Sequence, residues 1–201
     1  MKRVRLCLLI LSLLAAASQP VLAGNRIGAA ELQAVFPARS CASLAEVSLV
    51  PIGGPGSKVT KAVEAEENGL DTCSVEGLLA PAVKFKLVLP TRTWTQRYLQ
   101  VGCGGLCGNI SLQVGAAEGC ISLHAGEFAI AATDMGHEGN GAEFGRDAQL
   151  RADFAYRAQH ITALAAKQLI HEFYGQPPAY SYFNGCSDGG AGRADRSAAL
   201  S

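Results

Sequence analysis

Ser187 stands in the run Gly185-Cys186-Ser187-Asp188-Gly189-Gly190. The spacing G-x-S-x-G is that of a nucleophile elbow, in which a strand turns sharply into a helix and leaves the serine hydroxyl exposed on the turn. Glycines suit such a turn because strained backbone angles and close strand–helix approach leave no space for a Cβ. A serine in an ordinary tight loop is the plain alternative for so short a pattern. The residues before it favour the elbow, since Tyr180-Ser181-Tyr182-Phe183-Asn184 reads as a short aromatic-rich strand. A serine hydroxyl is a weak nucleophile until a neighbouring base takes its proton. In hydrolases built on this elbow the acid and base follow the serine, in the order Asp or Glu, then His. Here all four histidines (His124, His137, His160 and His171) precede Ser187, and the only later carboxylates are Asp188 and Asp195. Either an upstream histidine serves as base or the chain is the N-terminal part of a longer enzyme. The second is the expectation.

Acyl transfer also needs donors aimed at the oxyanion, commonly backbone N–H groups. One comes from the residue after the serine, here Asp188, and another from a loop that follows an early strand. The run Gly102-Cys103-Gly104-Gly105-Leu106-Cys107-Gly108 follows the predicted strand Arg97–Val101, so Gly104 and Gly105 are the candidates. A simple turn or a phosphate-cradling loop are the alternatives. A dinucleotide fingerprint is excluded, because Gly102 and Gly104 are followed by Cys107 where a third glycine is required.

The elements that must position these groups are legible as patterns. Val83–Leu89 alternates at period two, as a half-buried strand does, and Pro90 closes it. Phe128–Thr133 is wholly apolar, suited to the middle of a parallel sheet. Asp153–Tyr174 repeats apolar residues at helical spacing (Phe154, Ala158, Ile161, Ala165, Leu169, Phe173), with Gly175 placed to end the helix. His160 and His171 fall on this helix as surface or packing residues. Gly53–Ser57 is a turn-rich break, and the polar stretch after it, to Thr72, is given no regular structure. Strand, helix, strand, elbow is α/β architecture with a crossover connection.

Lysine plus arginine and aspartate plus glutamate number 17 each, with no run of one sign, so nothing in the charge pattern points to nucleic acid or a membrane surface. Lys2, Arg3 and Arg5 precede an apolar core, Leu8–Ala17, too short to span a bilayer, and Val21-Leu22-Ala23 offers small residues for cleavage before Gly24. This is a signal peptide, residues 1–23, and it predicts a secreted or periplasmic protein whose remaining part, 24–201, is one domain in length. Cys41, Cys73, Cys103, Cys107, Cys120 and Cys186 stay in the exported part, where disulfides are expected. Zinc ligation by Cys103, Cys107 and Cys120 is the weaker reading, because no paired His/Cys spacing accompanies them, and no metal is assigned.

Four stretches in the same order resemble the tannase and feruloyl esterase family: Leu99–Gly105, Ala132–His137, Phe154–His160 and Ser181–Gly190. The resemblance covers roughly residues 85 to 190 and implies an α/β-hydrolase fold, incomplete here, with a mostly parallel sheet ending just after the elbow. It implies Ser187 as nucleophile, and Cys186 as one half of a disulfide to a cysteine beside the catalytic histidine, a partner absent from this sequence. It further implies a Cys41–Cys73 bridge. Apart from the resemblance, Cys107–Cys120 is a weaker pairing that would leave Cys186 free or paired with Cys103. The family's large lid domain, with its calcium site and substrate pocket, would lie beyond residue 201, so no cofactor is expected in the chain itself. Ala191–Ser201 does not resemble the family's helix at that point, as a frameshift or early stop would produce. Asp134 and His137 are read as a polar network around the sheet rather than as triad substitutes.

Two functions are compatible with these residues. The first is a serine carboxylic ester hydrolase that cleaves small esters of phenolic or aromatic acids, inactive or nearly so as 201 residues. The second is a non-catalytic exported module that binds a phenolic ligand and carries an incidental G-x-S-x-G turn.

Overall fold

The computed structural model describes residues 31–115 and 119–187. The predicted signal peptide and the residues from Asp188 onward therefore lie outside the described residues. Six strands make one sheet: β1 Lys58–Glu67, β2 Leu70–Leu79, β3 Val83–Pro90, β4 Arg97–Gly102, β5 Phe128–Thr133 and β6 Tyr180–Gly185, in the spatial order β1-β2-β3-β5-β4-β6. The sheet is mixed. β1 to β3 form an antiparallel arm that joins β5, while β5, β4 and β6 run parallel. Among the described residues, β6 is paired on one side only.

The polar stretch to Thr72 is not irregular, and here the structure corrects the sequence reading. It forms the β1–β2 hairpin, closed by Asn68 and Gly69 at φ 53° and 78° with Glu67 opposite Leu70. Two residues with positive φ make the turn whose twist matches the flanking strands, and Asn-Gly is the dipeptide best suited to it. β3 is more deeply buried than half-buried alternation implies, because the sheet is covered where it joins β5: Val83, Phe85, Leu87, Val88 and Leu89 are all buried.

Among the described residues the α-helices are single turns α1 (Val50–Gly53) and α2 (Ile121–His124), then α3 (Ala148–Ala152) and the long α4 (Ala158–Tyr174). The predicted helix from Asp153 starts differently, since Asp153–Arg157 is a wider π turn between α3 and α4. Gly175, at φ 75°, ends α4 with its N–H donating to the His171 carbonyl at 2.8 Å. Ala158, Ile161, Ala165, Leu169 and Phe173 are buried against the sheet, Phe154 is half-buried, and His160 and His171 stay outside the buried set. The end of α4 is anchored by Tyr174, which stacks on fully buried Trp94 with ring centroids 3.8 Å apart and donates its hydroxyl to the Pro90 carbonyl at 2.7 Å. A smaller apolar cluster (Leu99, Val101, Ala132) lies under Leu112, Val114 and Leu123. Cys41 and Cys73 are bonded, with Cα atoms 5.5 Å apart, and tie the segment before β1 to β2. Among the described residues no helix is long and apolar enough to cross a membrane.

Candidate active site

Parallel pairing decides where the chemistry meets. β5, β4 and β6 point the same way, with Val101 opposite both Ala132 and Asn184 and Gly102 opposite Gly185. Three segments therefore leave the same end of the sheet side by side: Asp134–Gly139 after β5, the glycine-rich loop after β4, and Cys186-Ser187 after β6. In open α/β sheets this carboxyl end is where ligands bind.

Ser187 is exposed and has φ 56°. A non-glycine residue seldom takes this left-handed conformation, and holding it there costs about 1–3 kcal/mol. Such a turn is the geometry of an elbow that lifts a hydroxyl clear of its backbone. The glycine-rich loop lies directly against it. A Cβ on Gly104 would stand 3.2 Å from the Cys186 carbonyl oxygen and 3.6 Å from Ser187 Cβ, while Gly105, at φ 60°, has open space around it. Gly104 is thus brought to the serine, and Gly105 follows it in the chain with open space at its Cβ position. Asp188 lies outside the described residues.

The loop is held from both sides. Cys103 and Cys107 are bonded to each other across its neck. The pairing of Cys107 with Cys120 is therefore corrected: four residues along the same loop place Cys103 within bonding reach, while Cys120 and Cys186 carry free thiols. From the neighbouring segment, Gly139 N–H donates to the Gly108 carbonyl at 3.0 Å, and His137 Nε2 lies 3.2 Å from the Leu106 carbonyl oxygen. A carbonyl only accepts, so that nitrogen carries the proton.

Asp134 is buried, and its Oδ1 accepts the N–H of Lys84 and of Gly136, each at 2.9 Å. Burial raises its carboxyl above the usual range, against the pull of those two N–H groups and of the Lys84 and His137 charges. Asp134 and His137 therefore form the polar network expected of them, and neither is spent on Ser187. Among the described residues no histidine hydrogen-bonds to Ser187. No group of three or more His, Cys, Asp or Glu side chains able to hold a metal is present among them either.

Behind these segments the sequence reading missed a further network. Asp153, fully buried in the π turn, accepts from Arg157 Nη1 at 2.6 Å and from Gln149 Nε2 at 3.0 Å. Arg157 Nη2 continues to the Ala80 carbonyl at 2.7 Å. The signal available in the sequence was the pair Asp153 and Arg157, four residues apart, the spacing of a helical ion pair. Beneath β4, Tyr98 donates to Gln100 Oε1 at 2.7 Å and Gln100 donates to the Gln159 carbonyl at 2.7 Å, joining the sheet to α4.

Comparison with known proteins agrees with this geometry. Residues 63–196 match the family described as tannase and feruloyl esterase. Feruloyl esterase B of Aspergillus niger is 38% identical over 103 residues, 49% of this chain and 18% of that protein. The mono(2-hydroxyethyl) terephthalate hydrolase of Piscinibacter sakaiensis is 32% identical over 138 residues, 59% of this chain and 23% of that protein. The crystal structure of feruloyl esterase B from Aspergillus oryzae superposes with a TM-score of 0.57 at 27% identity, covering 75% of this chain and 34% of that one. The chain thus spans about a fifth of the length of these curated relatives. The sheet, with its elbow and glycine-rich loop side by side, is part of an α/β-hydrolase fold. With more than half of its length matched, the chain belongs to the tannase and feruloyl esterase family of carboxylic ester hydrolases.

Proposed function

We propose that Ser187 is the nucleophile of an esterase acting on esters of phenolic or aromatic acids. The observation that carries this reading is the approach of Gly104 to Ser187, an exposed serine held at φ 56°. Ser187 Oγ attacks the ester carbonyl and its proton passes to a base. The carbonyl oxygen becomes an oxyanion facing the N–H groups of Gly104 or Gly105 and of Asp188. Collapse, with the base returning that proton to the leaving oxygen, expels the alcohol and leaves an acyl-serine that water hydrolyses. The aromatic substrate class rests on the relatives, which are named for feruloyl and terephthalate esters. In this reading the protein is exported after cleavage before Gly24, and the chain supplies the nucleophile and the oxyanion donors, while among the described residues no histidine reaches Ser187. By resemblance to the family a calcium ion would be held in a lid domain, and no described residue is assigned to it.

The test uses the fact that no histidine among the described residues reaches Ser187. The purified 201-residue chain, given an activated aryl ester such as p-nitrophenyl acetate, should acylate slowly at Ser187. It should hold the adduct, because deacylation needs a base as well. Mass spectrometry should place one acetyl group on Ser187 and none in Ser187→Ala. Rapid turnover that survives Ser187→Ala, or acylation elsewhere with Ser187 untouched, overturns the reading.

A further inference from the structure

We propose that His137 is a positioning residue for this site: its Nε2–H holds the Leu106 carbonyl and so fixes the turn that carries Gly104 and Gly105 against Ser187. The inference rests on the reading of that loop as the source of oxyanion donors.

The loop needs such a hold. The Cys103–Cys107 bond closes its neck but joins the loop only to itself. The Gly139–Gly108 hydrogen bond secures its exit. Leu106, at the tip, is exposed. Among the described residues the His137–Leu106 contact, at 3.2 Å, is the side-chain hydrogen bond that reaches residues 104–106 from outside the loop. Leu106 lies one residue from Gly105 and two from Gly104, so anchoring its carbonyl restricts the peptide planes whose N–H groups face the serine.

His137 can act as an anchor because its own place is fixed. The ring is buried, stacked on Phe144 at 4.1 Å between centroids and edge-on to Phe154 at 5.5 Å. Gly108 presses against its other side, since a Cβ there would come 2.7 Å from His137 Cδ2. The turn before it is set by Asp134, which accepts the Gly136 N–H, with Met135 at φ 63° and Gly136 at φ 86°. Gly136 in turn lies on Asp153, where a Cβ would stand 2.7 Å from Asp153 Cβ. Arg157, Asp153, Gly136, His137, Leu106 and Gly104 thus form a continuous packed line that ends at Ser187. A donor displaced by about 1 Å can cost on the order of a hundredfold in rate, which is the reason to hold this loop firmly.

Two measurements on the purified chain test the inference, using wild type, His137→Leu and His137→Gln. Leucine removes the donor at similar volume; glutamine can place an amide N–H near the position of Nε2. Amide hydrogen exchange of residues 104–107 should quicken about fivefold in His137→Leu, the worth of one modest hydrogen bond, and return toward wild type in His137→Gln. Exchange in β5 and α4 should not change. Phenylboronic acid, which forms a tetrahedral adduct on a serine oxygen and mimics the transition state, should bind His137→Leu about tenfold more weakly and His137→Gln nearly normally.

Unchanged exchange at 104–107 overturns the inference, as does exchange that quickens equally in β5 and α4. Local quickening with boronate affinity unaltered shows that the held loop supplies no oxyanion donor, and also overturns it. If the wild-type chain binds no boronate at Ser187 while local exchange responds as expected, the hold on the loop stands and the esterase reading of Ser187 fails.

Discussion

Gly104 faces Ser187 across the ends of two parallel strands so closely that a Cβ on Gly104 would stand 3.6 Å from Ser187 Cβ and fit only tightly against the backbone before the serine. The limiting contact is the Cys186 carbonyl oxygen, 3.2 Å from where a Cβ would be. A backbone atom cannot swing aside as a flexible side chain does. Under the esterase reading proposed above, the loop has to lie this close, since an oxyanion donor must stand within hydrogen-bond range of an atom attached to the nucleophile.

Gly104→Ala should therefore push the loop off the elbow by a few tenths of an ångström. The expected outcome is acylation of Ser187 by p-nitrophenyl acetate roughly tenfold slower, a fraction of the 10²–10³ lost when an oxyanion donor is removed outright, with little change in melting temperature. Gly105→Ala should do the reverse. Nothing lies within 4 Å of its Cβ position, but φ is +60°, where alanine pays about 1–2 kcal/mol. Gly105→Asn, which tolerates that conformation better, should lose less. Equal effects of alanine at both positions would refute the distinction.

Much of this site was legible because glycine and strand signals are local. Tyr180–Asn184 and Arg97–Val101 announced two strands, and each ran directly into its candidate loop. What no local pattern contained was the register Gly102 opposite Gly185, which brings the loops together. That depends on β4 lying between β5 and β6, a choice made by tertiary packing. The β1–β2 hairpin was a different kind of miss. Asn68-Gly69 carried its turn signal, but charged residues on β1, such as Lys61, Glu64 and Glu66, face solvent on an outermost strand and gave its pattern the polarity of a loop. The Cys103–Cys107 bond was hidden for a related reason, since cysteine spacing alone leaves connectivity open.

The ion pair behind the site carries a larger stability prediction. Arg157→Ala leaves the Asp153 carboxylate fully buried without its cation, its Oδ2 already lacking a hydrogen-bond partner. Breaking one partner of a buried pair costs about 3–5 kcal/mol. Urea unfolding should show a loss of that size, and Asp153→Asn combined with Arg157→Ala should recover part of it by removing the stranded charge. A loss under about 1 kcal/mol, the range of surface pairs, would show that water reaches Asp153.

Thiol chemistry should separate the cysteines by kind. Alkylation without reductant should label Cys120 and Cys186 and spare Cys41, Cys73, Cys103 and Cys107. Cys41→Ser with Cys73→Ser opens a loop with a sequence separation of 32, which chain entropy values at about 3–4 kcal/mol. The Cys103–Cys107 bond encloses too few residues to contribute in the same way, so its removal should loosen the Gly104 loop while moving the unfolding midpoint little. Peptide mapping that finds Cys107 joined to Cys120 would sink this assignment.

Asp134 supplies a pH dependence whose sign can be fixed in advance. Burial raises its carboxyl above the usual range despite the opposing pull of the Gly136 and Lys84 N–H groups and of the Lys84 and His137 charges. Because the folded chain holds this proton more tightly than the unfolded one, ionisation favours unfolding. The contribution of Asp134 to stability is thus complete below its ordinary value near pH 4 and is lost as pH rises through the raised one. Asp134→Asn cannot ionise, yet its Oδ1 still accepts from Lys84 and Gly136. The melting temperature of the variant should gain on that of wild type as pH rises from about 3.5 through the raised value, then keep a constant offset. Melting curves across that interval decide the matter. A variant that instead falls behind as pH rises would mean that the two N–H donors and the Lys84 charge stabilise the carboxylate by more than burial costs it.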